Sequence, residues 1–270
     1  MNPEDRVVIL TGATQGIGLA TSRLLAGAGC KLVLAARSEP DLAVLVSELV
    51  EAGCSAIAVA TDMSDTRQAT ALARATVEAY GTIDIVINNA AVGVRDDVVH
   101  LSDSDARRVM DVNYFGPLAL IQASIPFLKN NHDGGLIINI SSIVGRRAMP
   151  GIAAYSASKA ALEKMAESLR IEVMADNIRI STVYPGVTAT QFNAHSLGSD
   201  SRGRGRLSGV PPGRVARTIL KTIRHERRDV FVTLFDRTFV TASILLPGVM
   251  DWLLRNYSSR RYQVNPPKLD

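Results

Sequence analysis

The sequence predicts an α/β fold: a doubly wound parallel sheet of about seven strands with helices on both faces. Three observations predict it. Apolar, β-rich runs alternate with helical patterns along most of the chain. Most of those runs are apolar at nearly every position, as strands covered on both faces must be. A glycine-rich stretch, TGATQGIG over 11–18, follows the first run and opens the first helical pattern.

Taken in order, VVILT (7–11) predicts the first strand and 17–28 the first helix. KLVLAA (31–36) and a helix at 40–52 follow, then SAIAVAT (55–61) and a helix at 66–80. DIVINN (84–89) is the fourth strand, and one long helix is expected over 103–130. GLIINIS (135–141) leads to a helix over 153–175, IRISTVY (178–184) to a helix over 212–226, and DVFVTL (229–234) closes the sheet. Residues 1–235 read as one dinucleotide-binding and catalytic domain. Residues 236–270 read as an apolar extension packed on that domain, which Pro247 and Gly248 break into two short helical pieces.

The chain has 270 residues and is 47% hydrophobic, enough for a single large domain with a substantial core. Its two cysteines, Cys30 and Cys54, form no CxxC pair, which excludes a disulfide framework and a zinc site of that kind. The four histidines, at 100, 132, 195 and 225, are scattered and read as surface or loop residues, with no metal site expected. The first residues lack the basic start and apolar run of a secretory leader. The uncharged stretch at 238–250 is too short to span a bilayer, and the cysteine usage makes a reducing cytoplasm the expected location. The net charge is +4, and nine Lys or Arg with one acid, Glu226, lie between Arg202 and Arg228. No aromatic residues are interleaved with these cations, so nucleic acid is not expected as a partner.

The glycines at 12, 16 and 18 allow a tight strand-to-helix turn, and the helix beginning near Gly16 points its positive end at whatever anion lies there. Dinucleotide sites usually carry an acid at the end of the second strand, for the adenosine ribose. Here that place is Ala36, followed by Arg37. A guanidinium would bind a 2′-phosphate that an acid would repel, so NADP(H) is the expected cofactor. Asp62, after the third strand, either accepts from the adenine amino group or caps the helix that follows.

The motifs resemble those of the short-chain dehydrogenase/reductase family, a Rossmann-type family, in family order: TGATQGIG, NNAA (88–91), DVNYFG (111–116), NISS (139–142), YSASK (155–159) and YPGVTAT (184–190). The match covers roughly residues 6–235, and Ala91 departs from the glycine often found there. The resemblance implies an NADP-dependent oxidoreductase acting on a carbonyl/alcohol pair. It places the general acid/base at Tyr155, the substrate-bonding serine at Ser142 rather than Ser141, the lysine at Lys159, and an asparagine that helps position a relay water at Asn113. A tyrosine ordinarily ionises near pH 10, too high for an efficient base near neutrality. Lys159, one helical turn away, would stabilise its anion.

The cofactor-binding set implied is Gly12, Thr14, Gln15, Gly16, Ile17, Gly18, Arg37, Asp62, Met63, Asn89, Ala90, Tyr155, Lys159, Pro185, Gly186, Val187 and Thr190. Of these, Asn89 is expected against the adenosine ribose, and 185–187 and Thr190 near the nicotinamide. For the substrate, Val92, Val94, Ile143, Val144, Met149 and Phe192 offer an apolar lining, and Arg146 and Arg147 offer positive charge. These suit a lipophilic ketone, a steroid-like compound or a 3-oxoacyl group. A catalytically silent NADP(H)-binding regulator is the alternative, which the complete Asn113–Ser142–Tyr155–Lys159 set opposes. The family commonly pairs its long helices across a two-fold axis, so a homodimer or homotetramer is expected, with Ala161, Leu162, Met165, Leu169 and Val173 as a candidate face. The carboxyl-terminal extension, apolar and flanked by Arg237, Arg255, Arg260 and Arg261, is expected to pack on the protein, with peripheral contact to an anionic membrane as the competing reading.

Overall fold

In the computed structural model, which describes residues 1–131, 133–199 and 209–259, seven parallel strands form one sheet in the order β3-β2-β1-β4-β5-β6-β7. The strands are β1 (Val7–Thr11), β2 (Lys31–Ala36), β3 (Ala56–Ala60), β4 (Ile85–Asn88), β5 (Gly135–Ile140), β6 (Ile178–Tyr184) and β7 (Asp229–Phe231). His132, Arg202, Arg204, Arg206, Arg260 and Arg261 lie outside the described residues.

The apolar runs of the inner strands β1, β2, β4, β5 and β6 are buried because both faces are covered, and successive side chains serve opposite layers; the edge strands β3 and β7 stay partly exposed. Val8 and Leu10 of β1 join a layer with Leu25, Leu42 and Ile219, supplied by α1 (Gly16–Ala26), α2 (Glu39–Glu51) and α8 (Pro212–His225). Ile9, between them, joins the other layer with Leu72, Leu120 and Leu169, from α3 (Thr66–Tyr80), α5 (Gly116–Lys129) and α7 (Ala153–Glu172). Each such fully buried aliphatic side chain contributes about 1.5–3 kcal/mol. The strand order reverses between β1 and β4, so a crevice opens at the carboxyl ends of these strands, where a parallel sheet of this kind binds ligands.

The helix expected over 103–130 is interrupted. α4 (Asp103–Met110) passes into α5 through a π-helical turn at Asp111–Phe115, in which the Gly116 N–H reaches back to the Asp111 carbonyl. A short helix, α6 (Ile143–Arg146), follows β5. The seventh strand ends at Phe231, three residues early, because Thr233 caps the next helix: its hydroxyl accepts from the Asp236 N–H, and the Asp236 carboxylate accepts from the Thr233 N–H. Beyond it lie α9 (Leu234–Leu245) and α10 (Pro247–Ser259), divided at Pro247 as the sequence predicts. Asp236, Val240 and Ser243 face inward from α9, whereas Leu245, Leu246, Val249 and Trp252 are exposed. No helix among the described residues is long and apolar enough to cross a membrane. The face considered for a two-fold contact is largely turned inward: Leu162, Leu169 and Val173 are buried within the subunit, and Met165 packs on the α7 side of its core.

Candidate active site

The turn after β1 is built on close backbone approach. Gly12 and Gly16 have φ of 65° and 53°, a region side chains disfavour. A Cβ on Gly18 would lie 1.9 Å from the Gly12 carbonyl oxygen, so only glycine lets α1 start this near the turn. Gln15 supplies no side-chain cap, leaving the first N–H groups of α1 directed outward. The turn is fastened from β4: Asn89 Nδ2 donates to the carbonyls of Thr11 (2.9 Å) and Gly12 (3.1 Å), and Thr11 Oγ1 accepts from the N–H groups of Asn89 and Ala90. Asn89 thus fastens the glycine-rich turn with its side-chain amide.

A cavity of about 640 Å³ extends from this turn to the start of α7. Its wall includes Gly12, Thr14, Gln15, Gly16, Ile17, Arg37, Asp62, Met63, Asn89, Ala90, Ser142, Tyr155, Lys159, Pro185, Gly186, Val187 and Thr190, which is nearly all of the predicted set. Gly18 and Asn113 stand behind it. Arg37 is exposed at the rim beyond β2. Asp62 has both carboxylate oxygens engaged, one by the N–H and hydroxyl of Ser64 (2.9 Å each), the other by Arg108 (2.9 Å). Burial opposes ionisation of Asp62, but these donors outweigh it and hold the carboxyl below its ordinary range. The cap of α3 is Asp65, not Asp62.

At the other end, α7 carries Tyr155 and Lys159 on one face. Lys159 is 2% exposed; its Nζ donates to the Ile140 carbonyl at 2.8 Å and lies 5.9 Å from the centre of the Tyr155 ring. Burial lowers its pKa to about 8, and the charge of Glu163 opposes that shift. Burial pushes the Tyr155 phenol up, and its contact with Ser142 pulls the other way. Ser142 opens α6, with its hydroxyl donating to the Pro185 carbonyl and accepting from the Val144 N–H, both at 3.3 Å. Asn113 lies in the π-helical turn and is fully buried. Its amide pairs with both backbone polar groups of Val92 and donates to Ser158 Oγ, each at 2.9 Å. Ser158 Oγ in turn donates to the Tyr155 carbonyl at 2.8 Å. The Asn113 side chain therefore braces the Val92 loop against α7, with both of its donors spent on protein.

The substrate side departs from expectation in charge. Val92, Val94, Ile143, Val144 and Phe192 line the cavity, and Phe192 packs on Tyr155 with ring centres 5.5 Å apart. Met149 lies outside it, beside α10. Arg146 and Arg147 do not face the cavity. Arg146 turns toward Glu163 (2.8 Å) and Asp229 (3.3 Å), and Arg147 pairs with Asp251. Their acidic partners lie far along the chain, so sequence position alone could not show them. The polar groups that do line the cavity include Arg95, Arg108, Gln191, Asn193 and His195. His195 is exposed, as expected, and stands at the cavity's edge on the connection after β6.

A profile of the short chain dehydrogenase family matches residues 6–200. The chain belongs to this family. Among curated members, a dehydrogenase/reductase SDR family protein 7-like of Anopheles gambiae is 33% identical, over 94% of this chain and 84% of that protein. The uncharacterized oxidoreductase YxnA of Bacillus subtilis is 31% identical, over 93% of this chain and 72% of its own length. Among solved structures, a short chain dehydrogenase from Burkholderia cenocepacia in complex with NADP superimposes with a TM-score of 0.79 at 27% identity, over 94% of this chain and 99% of that one. An alcohol dehydrogenase from Thermococcus sibiricus complexed with 5-hydroxy-NADP gives 0.75 at 27% identity, over 84% and 95%.

Proposed function

We propose that this short-chain dehydrogenase is an NADP(H)-dependent oxidoreductase for a lipophilic carbonyl/alcohol pair. The observation that carries the reading is that Ser142, Tyr155 and Lys159 share one cavity with the glycine-rich turn. The residues fit the nucleotide: Gly12, Gly16 and Gly18 let the turn pack against Ala90, Thr190 and its own backbone where a Cβ would clash, and the uncapped start of α1 offers N–H groups to a pyrophosphate. For the 2′-phosphate, Arg37 stands at the rim where an acid would otherwise repel it. The two solved relatives at 27% identity carry NADP-type ligands, which supports a pyridine-nucleotide site here; the choice of the phosphorylated form rests on Arg37.

Bound there, the nicotinamide supplies or takes the hydride. The chain's part is the proton. Ser142 Oγ, near the Tyr155 phenol, turns its one hydrogen from the Pro185 carbonyl to the substrate oxygen. Tyr155 gives its proton to that oxygen in reduction and takes it back in oxidation. Lys159, charged below its pKa of about 8, stabilises the tyrosinate left behind. Asn113 holds the Val92 loop and the first turn of α7 in register. The apolar wall of Val92, Val94, Ile143, Val144 and Phe192 excludes water and favours a ketone, steroid-like or 3-oxoacyl substrate.

The test is a panel of ketones, aldehydes and 3-oxoacyl thioesters assayed with NADPH and with NADH. Consumption of NADPH on apolar ketones, faster than that of NADH, is expected. No turnover across the panel, or a preference for NADH, would contradict the proposal.

A further inference from the structure

Behind the cavity, Glu163 is a carboxylate that the chemistry so far leaves unused. It follows Lys159 by one turn of α7 and is 3% exposed. Its Oε1 accepts from Ser141 Oγ at 2.6 Å, and its Oε2 lies 2.8 Å from Arg146 Nε. Ser141 stands between Ile140, whose carbonyl receives the Lys159 ammonium, and Ser142. Arg146 closes the helical turn that Ser142 opens. Glu163 therefore grips both ends of the segment carrying the catalytic serine. Gly145, inside that segment, makes room: a Cβ there would lie 2.3 Å from Glu163 Oε1.

Other groups complete the surroundings. From α7 come Lys159, Lys164, Glu167 and Arg170; from α6, Arg146; from β6, Tyr184, whose hydroxyl donates to Asp229 at 2.8 Å; from β7, Asp229 itself. The Arg146 guanidinium also bonds Tyr184 and lies 4.9 Å from its ring centre. With one cation in this island engaged by Asp229 and Tyr184 as well as by Glu163, the nearest carboxylate along α7 to Lys159 is Glu163. A lysine stripped of water keeps its proton more readily when a negative charge lies close by, in addition to an acceptor such as the Ile140 carbonyl.

Resting on the acid/base reading of Tyr155, we propose that Glu163 is a positioning residue for the reaction: its carboxylate keeps Lys159 in the ammonium form beneath Tyr155 and locks the Ser142 turn against α7. Its side chain is not part of the cavity wall.

The experiment compares wild type, Glu163→Gln, Glu163→Asp and Tyr155→Phe. NMR titration of the lysine side chains, with Lys159 assigned by its loss in Lys159→Arg, reads the ammonium directly. Initial rates against pH read the consequence. Glu163→Gln is close to isosteric and keeps an oxygen for Ser141. It is expected to lower the Lys159 midpoint below the wild-type value and to move the rising limb of alcohol oxidation to higher pH. It should also reduce kcat about tenfold at neutral pH, with KM changed less than about twofold. Glu163→Asp should restore part of both shifts. If Glu163→Gln fails to fold, Glu163→Asp carries the same titration, with a smaller shift in the same direction. A folded Glu163→Gln protein with lower thermal stability, but with the Lys159 midpoint and the pH limb unmoved, would make Glu163 a structural tie and overturn the proposal. Tyr155→Phe separates this from the reading beneath it. If that variant is dead and the limb does not move in Glu163→Gln, only the role of Glu163 falls. If it stays active, both fall.

Discussion

At the scale of single residues, chemistry concentrates where burial and charge oppose each other. Glu163 is held up at about 7 by burial, partly offset by Ser141 and Arg146. Its folded value lies above the ordinary 4.5, so the folded protein binds a proton that the unfolded chain has lost. Its contribution to stability is full below about 4.5 and declines as pH rises to about 7. Denaturant titrations across that window should show a flatter slope for Glu163→Gln than for wild type. Lys159 acts in the other window. With its folded value near 8 and its ordinary value at 10.5, stability recovers as pH climbs between the two. At the cavity rim, Arg37→Asp replaces attraction for a 2′-phosphate by repulsion. Loss of a charge-assisted bond is worth about 1.5–3 kcal/mol, or roughly 10- to 150-fold. NADPH should therefore bind at least tenfold more weakly, while NADH holds or improves. Equal weakening of both would assign Arg37 to the fold.

At the scale of elements, the glycine-rich turn makes the sharpest structural demand. Gly18→Ala sets a methyl against backbone that cannot yield, at 1.9 Å from the Gly12 oxygen. Such overpacking costs about 1–3 kcal/mol or more, and thermal unfolding should show it together with loss of nucleotide binding. Gly248→Ala in α10, where a Cβ meets nothing within 4 Å, is the control and should leave both unchanged. The inner strands were readable in the sequence because both faces are buried, which writes an apolar residue at almost every position; the edge strands β3 and β7 carry a weaker signal. Most site motifs were readable because they sit at the end of such a strand or on α7; DVNYFG, in the π-helical turn at 111–115, is the exception. What stayed hidden depends on pairs distant in sequence. Arg146 and Arg147 read as substrate charges because Glu163, Asp229 and Asp251 come 17 to 104 residues later. The π-helical turn at 111–115 leaves the helical periodicity on either side intact, so Asn113 reads as mid-helix. α6 is too short for any periodicity. The end of β7 could have been found from the Thr233–Asp236 spacing, which is that of a capping box.

At the scale of the whole molecule, α9 links the carboxyl-terminal extension to the site. Asp236 is buried against Gly186, where a Cβ would come within 2.1 Å of its Oδ1, and Gly186 belongs to the cavity wall. Truncation after Thr233 should loosen the 185–190 loop and weaken NADPH binding, as fluorescence titration would show; unchanged affinity would mean that the extension leaves the site unaffected. We propose that the exposed apolar side chains of α9 and α10, with Phe115 and Ile171, serve a homo-oligomer, in place of the α7 face considered from the sequence. Light scattering at micromolar concentration should give at least a dimer, and a monomer would contradict that expectation. The central claim, that a tyrosine held over a buried lysine moves the substrate's proton, meets its most direct test in Tyr155→Phe. The substitution keeps the ring and its packing on Phe192 and removes only the hydroxyl. Turnover should fall by at least about a thousandfold while NADPH affinity stays within about threefold of wild type. A Tyr155→Phe protein that kept a large fraction of wild-type turnover would contradict the account.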